Sequence, residues 1–288
     1  MDRLAKHRKI RKAVQFISGI AANGNLSGFV TGRIYAGKLK GFCVPGMNCY
    51  SCPGALGVCP IGSLQAFFTG KRPGFPFYVL GWLALIGVLT GRFVCGWLCP
   101  FGLIQELLHK IPIKKITVPE KADRVLRKLK YAFLLVFVIL LPIMLRDEMG
   151  LSVPYFCKYI CPVGMLEGGI PLLILNKALR PAAHLLYVWK FAILIAVICA
   201  SVRINRPFCK YVCPLGAFYS LFQRVSFLKM NYDRNACVSC GACAKVCRMQ
   251  VDPTVTPNST ECIRCGECVY ACPAGALRFN IIKNGDKR

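Results

Sequence analysis

The nineteen cysteines of this 288-residue chain fall into spacings that could hold iron and sulfide. The best-formed unit is Cys209-Lys-Tyr-Val-Cys213-Pro214-Leu-Gly216. Cys157-Lys-Tyr-Ile-Cys161-Pro162-Val-Gly164 nearly repeats it, and Cys95-Gly-Trp-Leu-Cys99-Pro100-Phe-Gly102 keeps the pattern with other fillers. A fourth stretch, Cys59-Pro60-Ile-Gly62, keeps the second half, with Ala55 where the first cysteine would stand and Cys49 and Cys52 slightly upstream. Cysteines four apart share a helical face, with Cβ atoms roughly 5–6 Å apart. A proline directly after the second cysteine suits the first position of a helix, where its missing N–H is not needed. The positive end of that helix then faces the sulfurs and favours thiolate. One unit supplies two thiolates and an iron–sulfur cluster is held by four. The units must therefore work in pairs.

The tail carries a denser signal. Cys237, Cys240, Cys243 and Cys247, then Cys262, Cys265, Cys268 and Cys272 followed by Pro273, form the two runs of a two-cluster ferredoxin. In such runs the fourth cysteine ligates the other cluster. One site is then Cys237, Cys240, Cys243 and Cys272, and the other is Cys262, Cys265, Cys268 and Cys247. Arg248 stands where proline usually follows the fourth cysteine of the first run.

These ligands need elements to position them. The chain is 55% hydrophobic with a formal charge of +26, a combination that fits a membrane protein with basic loops better than a soluble or a disordered chain. Nucleic acid is not an expected partner, because the lysines and arginines lie between apolar stretches. The spacings are those of cluster sites, not of a secreted disulfide framework, and no secretory cleavage pattern is visible. Apolar stretches at 13–32, 73–91, 131–145 and 182–202 predict four membrane-crossing helices. Residues 170–175 read as an interfacial piece. Six Lys/Arg in residues 1–12 and nine in residues 92–130 place those segments, and both termini, on the cytoplasmic side. The predicted fold is a mainly α, multi-pass protein of the cell membrane. Four helices in two repeats carry interfacial or re-entrant Cys-x3-Cys-Pro helices over residues 1–230, and a two-cluster ferredoxin-like α+β domain follows over 231–288.

With that topology the units alternate in side. Cys95, Cys99, Cys209 and Cys213 form an inner site. Cys157 and Cys161 join Cys59 and one more cysteine of the first loop in an outer one; Cys52 is preferred as that fourth ligand, then Cys49, then Cys43. Four [4Fe–4S] clusters result. Lys190, inside the last apolar stretch, reads as snorkelling to the headgroups, and Cys199 as a small buried hydrophobe. Six residues after the second cysteine of each unit stand Gln65, Gln105, Glu167 and Tyr219, of which Glu167 is the candidate for handling protons.

Two stretches, GRFVCGWLCPFGLIQ ending at Gln105 and RPFCKYVCPLG from Arg206 to Gly216, together with the tail, resemble the membrane-bound polyferredoxins of the NapH/NosR type. The resemblance covers roughly residue 73 onward; the units around Cys59 and Cys157/Cys161 are additional to it. It implies an electron-transfer protein or oxidoreductase subunit, with relatives working beside quinol oxidation or a periplasmic reductase. The expected role is a conduit between a cytoplasmic ferredoxin- or flavodoxin-like carrier, or a partner redox subunit, and an outer-face acceptor. Two alternatives stand beside it: a quinol dehydrogenase subunit exchanging electrons with quinone, and a redox-sensing or maturation factor. No constellation for hydrolysis or group transfer is present.

Overall fold

A computed structural model of the chain describes residues 2–70, 75–148, 150–182 and 184–281. Its local rule is set by the Cys-Pro step. A residue before proline is pushed out of the helical region, and Cys59, Cys99, Cys161 and Cys213 all have extended backbones. Helices Pro60–Thr69, Pro100–Leu108 and Pro214–Phe222 start on the prolines that follow. Each Cys-x3-Cys turn ends in the same widened bond. The N–H groups of Cys99, Cys161 and Cys213 reach the carbonyls of Val94, Phe156 and Phe208, five residues back, at 3.0, 2.9 and 2.9 Å.

Around these units pack the N-terminal helix Asp2–Ala22, helix Phe77–Thr90, a continuous helical stretch over 120–144 and helix Leu185–Arg203. The core they share is lined by Leu64, Leu83, Val138, Phe156, Phe208 and Leu215, with the unit cysteines among them. The tail closes on one antiparallel strand pair, Leu228–Tyr232 with Leu277–Ile281, in which Met230 faces Phe279.

The expectation of four membrane-crossing helices is corrected here. Among the described residues one helix, the 19-residue Leu185–Arg203, is long and apolar enough to cross, at about 28 Å. The apolar stretch at 13–32 breaks at Ala22, and the helix leading into it turns Arg11 and Gln15 wholly inward. Helix Phe77–Thr90 has 14 residues, about 21 Å; the expected start of that span at Pro73 lies outside the described residues. The apolar run at 131–145 is only the second half of its helix, whose first half is charged and ends in the buried Lys130. Hydropathy registers apolar residues; it does not register where glycines and caps end the helix. Cys199, read as buried, is exposed, because the flank of Leu185–Arg203 that carries it faces away from the core.

Candidate functional site

The sixteen unit and tail cysteines gather in four groups of four. In the first, Cys95, Cys99, Cys209 and Cys213 are all buried. Burial pushes the Cys213 thiol well up, and the adjoining thiols of Cys209 and Cys95 push it further. In the second, a cavity of about 310 Å³ is lined by Cys49, Cys59, Cys157 and Cys161. Of the first-loop cysteines beside Cys59, Cys49 lines this cavity, whereas Cys52 and Cys43 are buried but do not line it. In the tail, one cavity of about 200 Å³ is lined by Cys237, Cys240, Cys243 and Cys272. A smaller one, about 30 Å³, is lined by Cys247, Cys262, Cys265 and Cys268. Among the described residues no three His, Cys, Asp or Glu side chains close tightly enough around a point to hold a single ion. Each of these three cavities brings four cysteines to one lining, the ligand number of an iron–sulfur cluster.

The donor set fits such a cluster. Glycine three residues after each Cys-Pro cysteine turns its N–H toward that sulfur, from Gly62 to Cys59, Gly102 to Cys99, Gly164 to Cys161 and Gly216 to Cys213. The last of these measures 3.3 Å. In the tail, the N–H groups of Ser239, Val251 and Arg264 donate to Cys237, Cys247 and Cys262 at 3.3–3.4 Å. Backbone N–H groups aimed at sulfur stabilise thiolate in a dry site.

The positions six residues beyond the Cys-Pro cysteines are structural partners of the opposite unit. Gln65 donates to Cys157 Sγ at 3.3 Å and accepts from Phe156 N at 3.0 Å. Gln105 does the same at Cys209 Sγ, 3.1 Å, and Phe208 N, 3.2 Å. Glu167 instead accepts from Cys49 N at 2.8 Å, and burial pushes its carboxyl up to about 7. Tyr219, wholly buried, donates to Pro45 O at 3.0 Å. Burial raises its phenol, and the thiols of Cys95 in the first group and Cys59 in the second raise it further.

Two arginines outside the Cys-x3-Cys-Pro motif complete the first group. Arg92 and Arg206 stand three residues before Cys95 and Cys209, and each crosses to the other unit. Arg92 Nη2 donates to Cys209 O at 3.3 Å and Arg206 Nη1 to Cys95 O at 2.5 Å. Each is matched by a buried carboxylate, Arg92 Nη1 with Glu261 at 3.0 Å and Arg206 Nε with Glu106 at 2.9 Å. Their identical register in the repeat was the available signal.

The carboxylates do a second job. Glu106 also binds Arg11 at 2.6 Å and Arg248 at 3.2 Å, and Glu267 binds Arg11 at 3.1 Å and Arg248 at 2.5 Å. Surrounding arginines, Arg206 foremost, hold the Glu106 carboxyl down to about 2 against the upward push of burial. Lys130 lies 2.5 Å from Glu261. These pairs tie the tail to the helical unit, so part of the basic excess is spent inside the molecule. Trp97 Nε1 donates to Arg264 O at 3.1 Å and His7 contacts Cys265 O at 2.8 Å. Gly96, between Cys95 and Cys99, has no room for a side chain: a Cβ there would clash with Ile263 O and lie 3.5 Å from Cys265 Cα.

Fold and thiol geometry together define an iron–sulfur electron carrier with a docked ferredoxin-like tail. The family model for a 4Fe-4S binding domain matches residues 73–119, 131–177 and 186–233, and a second model of the same description matches 255–278. An uncharacterized protein of Methanocaldococcus jannaschii is 31% identical over 77% of this chain and 86% of its own length. The putative electron transport protein YccM of Escherichia coli is 29% identical over 80% of this chain and 65% of its length. The regulatory protein NosR of Stutzerimonas stutzeri is 30% identical over 63% of this chain, which spans 23% of that protein. No solved structure matches. The chain belongs to the NapH/NosR-type polyferredoxins, 4Fe-4S ferredoxin-type electron-transport proteins.

Proposed function

We propose that the chain carries electrons along four [4Fe–4S] sites set in series, between a soluble carrier or partner redox subunit at the tail and an acceptor at the opposite face of a membrane. One observation carries the serial order. The adjacent residues Gly46 and Met47 join the two membrane-unit sites: a Cβ on Gly46 would lie 3.3 Å from Cys99 Cα, and Met47 Sδ lies 3.9 Å from Cys59 Sγ. On the other side of the Cys95/Cys99 unit, Gly96 lies against the Cys262–Cys268 loop of the tail. When bound, [4Fe–4S] clusters supply one-electron transfer at potentials set by charge, hydrogen bonding and burial. The chain's own residues hold the thiolates, supply N–H donors to them and keep water out.

Membrane placement is supported by the apolar flank of Leu185–Arg203, where Leu185, Val188 and Trp189 are exposed. That helix starts beside the Cys49/Cys157 cavity, which Leu186 and Lys190 line, and ends just before Arg206 of the other unit. The two Cys-Pro sites thus lie along the one helix among the described residues that is long and apolar enough to cross. The basic N-terminal segment and the tail go to the cytoplasmic side. In sealed vesicles with reductant confined to the tail side, an impermeant acceptor on the other side should be reduced. Cys161→Ser should stop this while the tail still takes up electrons. Full-rate reduction by Cys161→Ser would remove that site from the path.

A quinol-linked reading has one observation in its favour. A second cavity of about 310 Å³, lined by Leu39, Phe42, Leu56, Leu98, Pro100 and Asn48 among others, adjoins both membrane-unit sites. Asn48 Nδ2 donates to Gly57 O at 3.1 Å, leaving its buried Oδ1 without a partner among the described residues. Acceptor reduction that appears only after quinone is added would favour this reading.

A further inference from the structure

In the site of Cys95, Cys99, Cys209 and Cys213, the glycine of each Cys-Pro-x-Gly makes room for a cation. A Cβ on Gly102 would lie 3.0 Å from Arg206 Nη1, and one on Gly216 3.3 Å from Arg92 Nη2. The second site keeps the glycine but not the arginine, since Pro154 stands three residues before Cys157. At Gly164 the space is taken from elsewhere. A Cβ there would lie 3.5 Å from Lys190 Nζ and 3.8 Å from Cys49 Sγ. The Lys190 ammonium lines the thiol cavity and donates to Cys157 O at 3.2 Å. Among the described residues Arg92 and Arg206 have carboxylate partners, and Lys190 has none within ion-pair distance.

We propose that Lys190, reaching in from helix Leu185–Arg203, replaces the arginine of the repeat. Its charge, which has no carboxylate within ion-pair distance among the described residues, raises the reduction potential of the Cys49/Cys59/Cys157/Cys161 site. A fixed positive charge favours the more negative, reduced form of a nearby centre, and more strongly where no counter-charge and little water intervene. A lysine inside an apolar helix is by default functional. Two other lysines stand close by. Lys158 also lines the cavity, but its Nζ sits over the Tyr159 ring, 5.3 Å from the centroid. Lys40 is tied to Ala55 O at 3.0 Å, outside the cavity lining. Lys190 acts on the site through space and is a positioning residue.

This inference rests on the four-site reading, and redox titration followed by EPR separates the two. The signal lost in Cys161→Ser identifies the site. In full-length Lys190→Met the midpoint of that signal should fall, the reduced fraction at fixed potential dropping on the order of tenfold, or about 59 mV for a one-electron couple. The other signals should keep their midpoints. Lys190→Arg should retain the midpoint and Lys158→Met should move it less. An unchanged midpoint in Lys190→Met, or equal losses in the Met and Arg variants, would overturn the role of the charge. If Cys161→Ser removes no signal at all, the four-site reading itself fails, and the inference with it.

Discussion

The two sites built from Cys-Pro units share a scaffold and differ in charge. Both have N–H donors from a glycine, a widened last turn and a glutamine clamp, Gln105 in one and Gln65 in the other. The first is sealed, made from two full units, and ringed by arginines that are each answered by a glutamate of the helical unit or the tail. The second is built from one full unit plus Cys49 and Cys59. It opens into a cavity, and its nearby charges are Glu167 on a backbone N–H, Lys158 over the Tyr159 ring, and Lys190, which has no carboxylate partner among the described residues. A duplicated ligand frame has thus been given different electrostatic surroundings. That is how one fold places two like centres at different potentials.

The comparison breaks most completely at the thiolates. Cys213→Ser should remove the site shared with Cys95 and cost about a quarter of the iron, because each site draws on separate units. Cys157→Ser should cost a different quarter, and Cys49→Ser should match Cys157→Ser, whereas Cys52→Ser should leave the iron unchanged. Iron assay with EPR of each variant checks this. A common signal lost in both Cys95→Ser and Cys157→Ser would mean the two groups are not separate sites.

The next effect is on docking. Glu106→Leu strands Arg206 as a buried unpaired cation and leaves Arg11 and Arg248 to share Glu267, and breaking a buried pair from one side costs about 3–5 kcal/mol. Thermal unfolding should shift down and protease should cut between the helical unit and the tail sooner than in the intact protein. The same pair sets an acid limit. With its folded-state pKa at about 2, below the ordinary glutamate value, Glu106 stabilises fully above the ordinary range and loses this contribution as pH falls toward 2.

The smallest predicted effect is on the clamps. Gln105→Leu removes one N–H donor to Cys209 Sγ and leaves Phe208 N unpaired, worth about 1–3 kcal/mol. It should lower the midpoint of the Cys95/Cys209 signal alone, and Gln65→Leu the midpoint of the Cys59/Cys157 signal alone. Shifts of both signals in either variant would blur the distinction between the sites.

The ligand frame was legible in the sequence because thiol spacing encodes it. Cys-x3-Cys-Pro dictates a helical turn, an extended cysteine and a new helix whatever surrounds it. The fourth cysteine of the Cys59 group was not legible, since the choice among Cys43, Cys49 and Cys52 depends on how a loop without repeat register folds. Arg92 and Arg206 stood in register but outside the motif. Lys190 sat in an apolar stretch, and pattern alone cannot tell which side of a helix meets a cavity. Hydropathy overstates the membrane spans because residues 13–32 and 131–145 are apolar without being one long apolar helix. Cys199 followed the same error, its apolar helix facing outward.

The number and independence of the sites are tested most directly by iron analysis and EPR redox titration of intact, anaerobically purified protein. Four sites predict about 16 iron atoms per chain and four separable signals. Recovery of about eight iron atoms, with only the two tail signals, would contradict the claim that the Cys-Pro units hold clusters.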